Sequence, residues 1–365
     1  MKRRAFVGAV GIGAAAGLSG CSSEPKECAT GQASSKADVI EWTMITTWPK
    51  NFQGLGEGAE YLAQKINELS GGRMKVTVMG ANDLVPALEV FDTVAAGTVQ
   101  MGHGASYYWK GKLPVAPIFS AVPFGLNAQE MNGWLYKGGG LELWQELYQP
   151  LGLLPMPAGN TGVQMAGWFN KEINSLDDIQ GLKMRIPGLG GEVFKRAGGT
   201  PELIPGAELF SALNRGRIDA TEWVGPYNDL AFGLHKAAKY YYYPGWHEPG
   251  TTLEAIINLD AFNALPDDLQ AIVKAACTLA NSDMLAYFTE KNNQALESLV
   301  NEHNVQLKKL PEDVLARFEA LSHDVVKELA ATDAFAERVY QSYSNYKKQV
   351  YNWHKVSEQS FYSLR

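Results

Sequence analysis

The chain has 365 residues, 46% of them apolar, enough for one large or two medium domains with packed cores. Its formal charge is -7 and grows more acidic once the basic tip at Lys2, Arg3 and Arg4 is set aside, and no long basic run follows, which argues against nucleic acid as the partner. A small anion can still be held, by a local site rather than by the field of the whole protein.

The first twenty residues, MKRRAFVGAVGIGAAAGLSG, read as an export signal: a basic tip, then an apolar stretch from Ala5 to Leu18 rich in Gly and Ala and short for a bilayer span. LSGC, Leu18 to Cys21, resembles a lipobox, which implies that Cys21 is lipidated and becomes the new N-terminus. RRAFVG resembles a twin-arginine signal, with Lys2 where Ser or Thr is usual. Residues 21–37 have nothing to bury and read as a flexible tether. No later segment has 18 consecutive apolar residues, so the expectation is a soluble body held at a membrane by its lipid. Cys21, Cys28 and Cys277 are the three cysteines; no CxxC or Cys/His spacing points to zinc, and nothing in the sequence supports a Cys28–Cys277 disulfide.

From residue 38, strand and helix alternate. VIEWTMIT predicts a strand, GEGAEYLAQKINELS a helix stopped at Gly71-Gly72, KVTVMG a strand, VPALEVFDTVAAG a helix and VQMGHG a strand. AQEMNGWLYKGG and GLELWQELYQPLG continue the helices, and LLPMPAGNTGVQMAGWF reads as one long extended passage. A second unit follows: GLKMRIPG as a strand, GEVFKRAG as a short helix starting near Gly190, and GAELFSALNRGRIDATEWVG as a helix running into a strand or loop. After YYYYPGWHEPG comes the strand TTLEAIINLD, and the remainder is helical apart from a brief VQLKKL. Strands spaced by such helices predict a parallel α/β sheet. Extended passages near 160–170 and 249–259 predict crossings between two hinged lobes, with the cleft as the default ligand site.

Arg185 ends a strand before a Pro-Gly turn, a position suited to holding a carboxylate with two parallel hydrogen bonds, although a surface arginine fits the sequence equally well. Glu222 and Trp223 precede a Gly-Pro break, Glu248 is a second isolated carboxylate, and Gln164 is an amide in an apolar run. Two carboxylates and an amide oxygen suit a hard cation, or the glutamates serve as general acid and base, or they are solvated loop residues. The six histidines show no HxxxH or HExxH spacing, and no GxSxG elbow is present. The aromatic residues of the C-terminal helix read as core or dimer contacts.

Taken together and in order, AVPFGLNAQEMNGW, GNTGVQMAGWFNKEI, LKMRIPG, DATEWVGPYND and YYYYPGWHEPG resemble the solute-binding proteins of TRAP transporters, the DctP type, and within it the 2-oxoacid-binding subgroup. The resemblance runs from TMITTWPKN to the C-terminal helices. It implies a two-lobed, periplasmic-binding-protein-like α/β fold with hinge strands and a long C-terminal helical region. Lobe I is expected over 38–162 plus about 251–290, lobe II over 163–250 plus about 291–331, and C-terminal helices suited to a homodimer over 332–365. It further implies a periplasmic, here lipid-anchored, receptor that closes on a small organic acid and delivers it to a TRAP membrane permease.

By the same resemblance Arg185 clamps the ligand carboxylate. Gln164, Glu222, Trp223 (through its backbone carbonyl) and Glu248 hold a metal cation, Na+ or Ca2+, shared with the ligand, and Tyr107 and Asn160 line the cleft. The tyrosine run is expected to pack alternate rings into the core and, through its Pro-Gly turn, to bring Trp246 and Glu248 to the metal. Two positions depart from the pattern: His247 where a second aromatic is common, and Pro187 where glycine is common. The expected ligand is a 2-oxo monocarboxylate such as pyruvate. The alternatives are a 2-hydroxy acid such as lactate, a dicarboxylate held by a second base such as Lys50 or Lys110, a sensor without a permease, and an acid/base enzyme using Glu222 and Glu248.

Overall fold

The computed structural model describes residues 39–365; the expected export signal, Cys21 and the tether lie outside the described residues. The first part of the chain runs β1 (Ile40–Thr46), α1 (Leu55–Leu69), β2 (Met74–Met79), α2 (Val90–Ala95), β3 (Met101–Gly104), α3 (Ala128–Lys137), α4 (Gly140–Tyr148) and β4 (Leu153–Asn160). These elements form for local reasons. In α1, Leu55, Ala59, Leu62, Ala63 and Ile66 recur on one buried face, and the chain leaves the helix through Gly71 and Gly72 at φ 63° and 80°, where a side chain would be strained. Asn127 and Glu130 cap the start of α3 reciprocally, each side chain taking the other's backbone N–H.

The second part runs β5 (Gly167–Phe169), β6 (Lys183–Arg185), α5 (Gly188–Arg196), β7 (Thr200–Glu202), α6 (Leu209–Asn214), β8 (Ala220–Thr221), α7 (Pro226–Ala231) and β9 (Tyr240–Tyr243). The chain then continues through β10 (Thr252–Asn258), α8 (Leu259–Asn263), α9 (Asp267–Asn301), β11 (Gln306–Lys309), α10 (Glu312–Ala330), α11 (Ala334–Val356) and α12 (Glu358–Tyr362). Helix α5 begins at Gly188, two residues before the expected start. No helix among the described residues is long and apolar enough to cross a membrane.

Two sheets result, ordered β2-β1-β3-β10-β4 and β11-β9-β5-β8-β6-β7. Neither is purely parallel as expected. Strands β1, β2 and β3 are parallel, as are β6, β7 and β8, but β10 is antiparallel to β3 and β4, and β5 is antiparallel to β8 and β9. The reason is the crossings: a strand that returns from the other sheet enters without the helical crossover that parallel pairing requires. The long passage 153–169 is accordingly two strands, one in each sheet, and β9 leads back through 244–251 into β10.

The crossings are stitched together. The N–H of Thr161 donates to the carbonyl of Thr251 at 3.0 Å, and the N–H of Gln164 to that of Glu248 at 3.1 Å. The 35-residue α9 packs against β4, α1 and α7, so one helix touches elements of both parts. Trp48 and Tyr107 from the first part share one buried apolar cluster with Trp168, Trp223 and Tyr241 from the second.

The tyrosine run departs from simple alternation. Tyr241 and Tyr242 are both buried, while Tyr240 is half-buried and Tyr243 is 39% exposed. Both faces of β9 are covered at its centre: Tyr241 stacks on Trp168 with ring centroids 4.0 Å apart, and the hydroxyl of Tyr242 accepts from the N–H of Ile173 at 2.8 Å. At the C-terminus, α11 docks on its own chain. The Tyr343 hydroxyl accepts from the N–H of Leu126, Lys347 donates to the carbonyl of Phe124, and Nδ1 of His354 meets Glu130 at 2.6 Å.

Candidate ligand and cation site

Arg185 closes β6 and is 1% exposed, which settles its place against the surface alternative. Each of its three nitrogens already has a partner. Nε donates to the carbonyl of Ile204 at 3.2 Å, Nη1 to the Glu222 carboxylate, and Nη2 to the Tyr108 hydroxyl at 3.2 Å. The guanidinium lies over the Trp223 ring, 5.1 Å from its centroid. Burial works most strongly against its charge, but Glu222 together with the Tyr108 and Tyr107 hydroxyls outweighs it and holds the guanidinium pKa above its usual value. Tyr108 carries no motif signal; only its position in the short 3-10 turn Ser106–Trp109 brings it to Arg185.

Glu222 follows β8 and is 0% exposed, and Glu248 is 3% exposed, so neither is a solvated loop residue. Glu248 accepts from the Thr251 hydroxyl at 2.6 Å. Burial, and then the Glu222 carboxylate nearby, push its pKa up to about 7. Nε2 of His247 lies 3.4 Å from the second oxygen of Glu222. One donor atom from each of Glu222, His247 and Glu248 lies within 4.8 Å of the other two, the one such grouping among the described residues. No linear spacing announces it, because β8 and the turn after β9 meet only in the folded chain.

Gln164 joins them through the crossing. Its Nε2 donates to the hydroxyls of Thr161 and Thr251 at 3.1 and 3.2 Å, which turns Oε1 the other way; that oxygen is buried without a partner. Gly245 lets the two segments approach, since a Cβ there would sit 2.1 Å from the Gln164 carbonyl oxygen.

The remaining expected residues divide. Tyr107 is buried next to Gly188, and its pKa is raised well above the usual value by burial and then by Glu248. Trp223 is buried under the guanidinium with its Nε1 unpartnered. Asn160 is buried but committed to the crossing: Nδ2 donates to the Gly250 carbonyl and the Thr252 hydroxyl, and Oδ1 accepts from Gly162. Trp246 packs on Phe318, 4.3 Å between ring centroids, and on His247, which is grouped with the two carboxylates. Lys50 turns to the Val78 carbonyl, and Lys110 reaches the Gly188 carbonyl and Glu192 in a surface cavity lined also by Tyr107, Tyr108 and Pro187. Among the described residues, Arg185 is the only buried lysine or arginine.

The arrangement has a clear electrostatic demand. Two buried carboxylates face one guanidinium, and an unpaired charge in a dry site is costly. The carboxylates of Glu222 and Glu248 come together there, and the Gln164 amide is tied to Glu248 through the shared Thr251 hydroxyl; oxygens of these kinds are the donor set of a hard cation. The unpartnered Oε1 of Gln164 and the unpaired charge of Glu248 both fit such an ion.

Residues 46–333 match the family of bacterial extracellular solute-binding proteins, family 7, DctP. The chain belongs to this family. It is 46% identical over 322 residues, 88% of each chain, to the monocarboxylate 2-oxoacid-binding periplasmic protein of Nostoc sp.. Two crystal structures of TRAP periplasmic solute-binding proteins share the fold with TM-scores of 0.87. One, from Pseudoalteromonas atlantica, is 43% identical, spans 89% of this chain and 99% of its own, and holds sodium and pyruvate. The other, from Colwellia psychrerythraea, is 42% identical, spans 90% of this chain and 100% of its own, and holds calcium and pyruvate. The two-lobed α/β architecture expected from the motifs is therefore that of a solute-binding family, and membership points to a binding protein.

Proposed function

We propose that this DctP-family protein is the receptor of a TRAP transporter, that it binds a small 2-oxo monocarboxylate such as pyruvate together with Na+ or Ca2+, and that it hands the acid to a membrane permease. The observation that carries this reading is the buried pair Glu222 and Glu248, the second linked through Thr251 to a Gln164 whose amide oxygen is unpartnered, with one buried guanidinium to balance two carboxylates. The 2-oxoacid named for the Nostoc relative, and the cation and pyruvate held by the two crystal structures, support it.

In this reading Gln164, Glu222, the Trp223 carbonyl and Glu248 hold the cation. A bound cation supplies positive charge that both glutamates and two oxygens of a 2-oxoacid can share. Arg185 turns part of its fork from Glu222 to the ligand carboxylate, and Tyr108 keeps the guanidinium plane fixed. Tyr107 and Trp223 exclude water around a short side chain, and Asn160 sets the crossing against which the ligand rests. A single buried cationic side chain favours a monocarboxylate over a dicarboxylate. Glu222 is held by Arg185 and Glu248 by Thr251, so we read the pair as ligands rather than as acid and base.

The lobes then divide as 38–162 with about 251–290, and 163–250 with about 291–331, hinged at the two crossings. Lipidation at Cys21 would keep the receptor on the membrane beside its permease. Residues 332–365 would pair two copies: Trp353, Val356 and Leu364 are 62%, 70% and 82% exposed.

Thermal unfolding of the full chain, stripped of ligand by unfolding and refolding, tests the function. Pyruvate, lactate, a longer 2-oxoacid and succinate are each added with Na+, with Ca2+ and with chelator. A ligand at about a hundred times its dissociation constant adds roughly 2.7 kcal/mol, a rise of several degrees. A cation-dependent rise with 2-oxoacids is expected. A rise with lactate alone or succinate alone replaces the ligand, and no rise with any acid overturns the reading.

A further inference from the structure

We propose that the His247 imidazole is itself a ligand of the cation, so that the site takes a borderline divalent transition cation such as Co2+ or Zn2+ as well as a hard one. The inference rests on the cation site proposed above and adds to it a nitrogen donor and the class of ion that such a donor selects.

Three observations carry it. Two donors that each lie about 2.0 to 2.4 Å from one ion can be at most about 4.8 Å apart. The donor atoms of Glu222, His247 and Glu248 meet that limit pairwise, at 4.8 Å or less. The imidazole is also only weakly committed. It is 1% exposed, Nδ1 has no partner, and Nε2 lies 3.4 Å from Glu222, long for a charge-assisted hydrogen bond, which is about 2.7 to 2.9 Å.

The side chain is also held from behind. A Cβ at Gly190 of α5 would come 2.9 Å from the His247 Cβ, so the helix backbone packs directly on it. The Trp246 ring, 5.4 Å away between centroids, is anchored in turn on Phe318. A buried imidazole with Nε2 turned to the Glu222 carboxylate and Nδ1 unpartnered keeps one nitrogen oriented and the other free as a donor, as a ligating histidine does.

The consequence is chemical. Sodium and calcium take oxygen ligands and gain little from a nitrogen. For divalent transition ions an imidazole raises affinity, increasingly from Mn2+ through Co2+ toward Cu2+. Carboxylate, carboxylate, amide oxygen and imidazole form a mixed set that serves both classes.

The test uses the full chain freed of metal by chelator, wild type and His247→Phe, titrated separately with Co2+ and Ca2+, with and without pyruvate. Calorimetry reads affinity, and visible absorption of bound Co2+ reads its ligands. Wild type is expected to bind Co2+ at least about tenfold more tightly than His247→Phe, with a changed Co2+ spectrum in the variant. Ca2+ affinity should fall by a smaller factor than Co2+ affinity, and circular dichroism with the thermal midpoint in chelator shows that the variant is folded. Wild type that binds Ca2+ but not Co2+, or a variant with unchanged Co2+ affinity and spectrum, overturns the inference and leaves the cation-dependent receptor standing. Loss of both ions in His247→Phe makes the imidazole a support for Glu222 and also overturns it. Wild type that binds neither ion removes the cation site and this inference together.

Discussion

The backbone N–H of Gln164 donates to the carbonyl of Glu248 at 3.1 Å, which joins the two segments that carry the chain between its sheets. In the function proposed above each segment delivers one oxygen donor, so the proposed hinge and cation site would share the same residues. An ion bound there would hold the crossings in one geometry. That relationship sets what each substitution should do.

Glu248→Gln should lower cation affinity by at least about 100-fold, because it removes a charged ligand from a dry site. In chelator the variant should be at least as stable as wild type near neutral pH, since burial already disfavours the Glu248 charge. Calorimetry and thermal unfolding check the two halves; a variant less stable than wild type without cation contradicts the electrostatic account.

Arg185→Lys should weaken pyruvate binding by roughly 10- to 100-fold, because an ammonium cannot reproduce the fork that a carboxylate needs. Binding within about twofold of wild type would remove Arg185 from the ligand site.

Gly245→Ala should cost at least about 2 kcal/mol of stability and loosen cation binding with it. The new methyl would sit 2.1 Å from the Gln164 carbonyl oxygen, so the crossing must open to admit it. Denaturant unfolding and Ca2+ titration of the same variant measure both effects.

Glu254 offers a pH test away from the cation. It is buried on β10, accepts from Trp109 Nε1 at 2.5 Å and Tyr148 at 3.3 Å, and burial pushes its pKa up to about 8. The folded protein therefore holds this proton more tightly than the unfolded chain, whose carboxyl titrates at about 4.3. Its contribution is fully present below the unfolded value and is lost as pH rises through the folded one, with a slope of up to roughly 1.4 kcal/mol per pH unit between them. Unfolding midpoints at about pH 5 and about pH 9 should fall less in Glu254→Gln than in wild type; equal falls would place the pH dependence elsewhere.

Val356→Asp should leave the fold intact and disrupt self-association, because the side chain is 70% exposed on the outer part of α11. Sedimentation of wild type at micromolar concentration should give a dimer; a monomeric wild type ends the pairing proposal.

By itself the sequence indicated the alternation of strand and helix and the two extended crossings, and it marked Arg185, Gln164, Glu222 and Glu248 as candidates without deciding whether they were buried together or exposed on loops. Those features are written in local periodicity, in Gly and Pro breaks, and in polar residues standing alone in apolar runs. What a single segment cannot specify is its neighbours. Nothing local makes β10 antiparallel, covers both faces of the tyrosine strand, or turns Trp246 into the core while leaving His247 beside Glu222. Tyr108 meets Arg185, and His247 meets Glu222, only because elements far apart in the chain converge in the fold. Such contacts depend on distances between elements far apart in the chain, and only tertiary packing decides those distances.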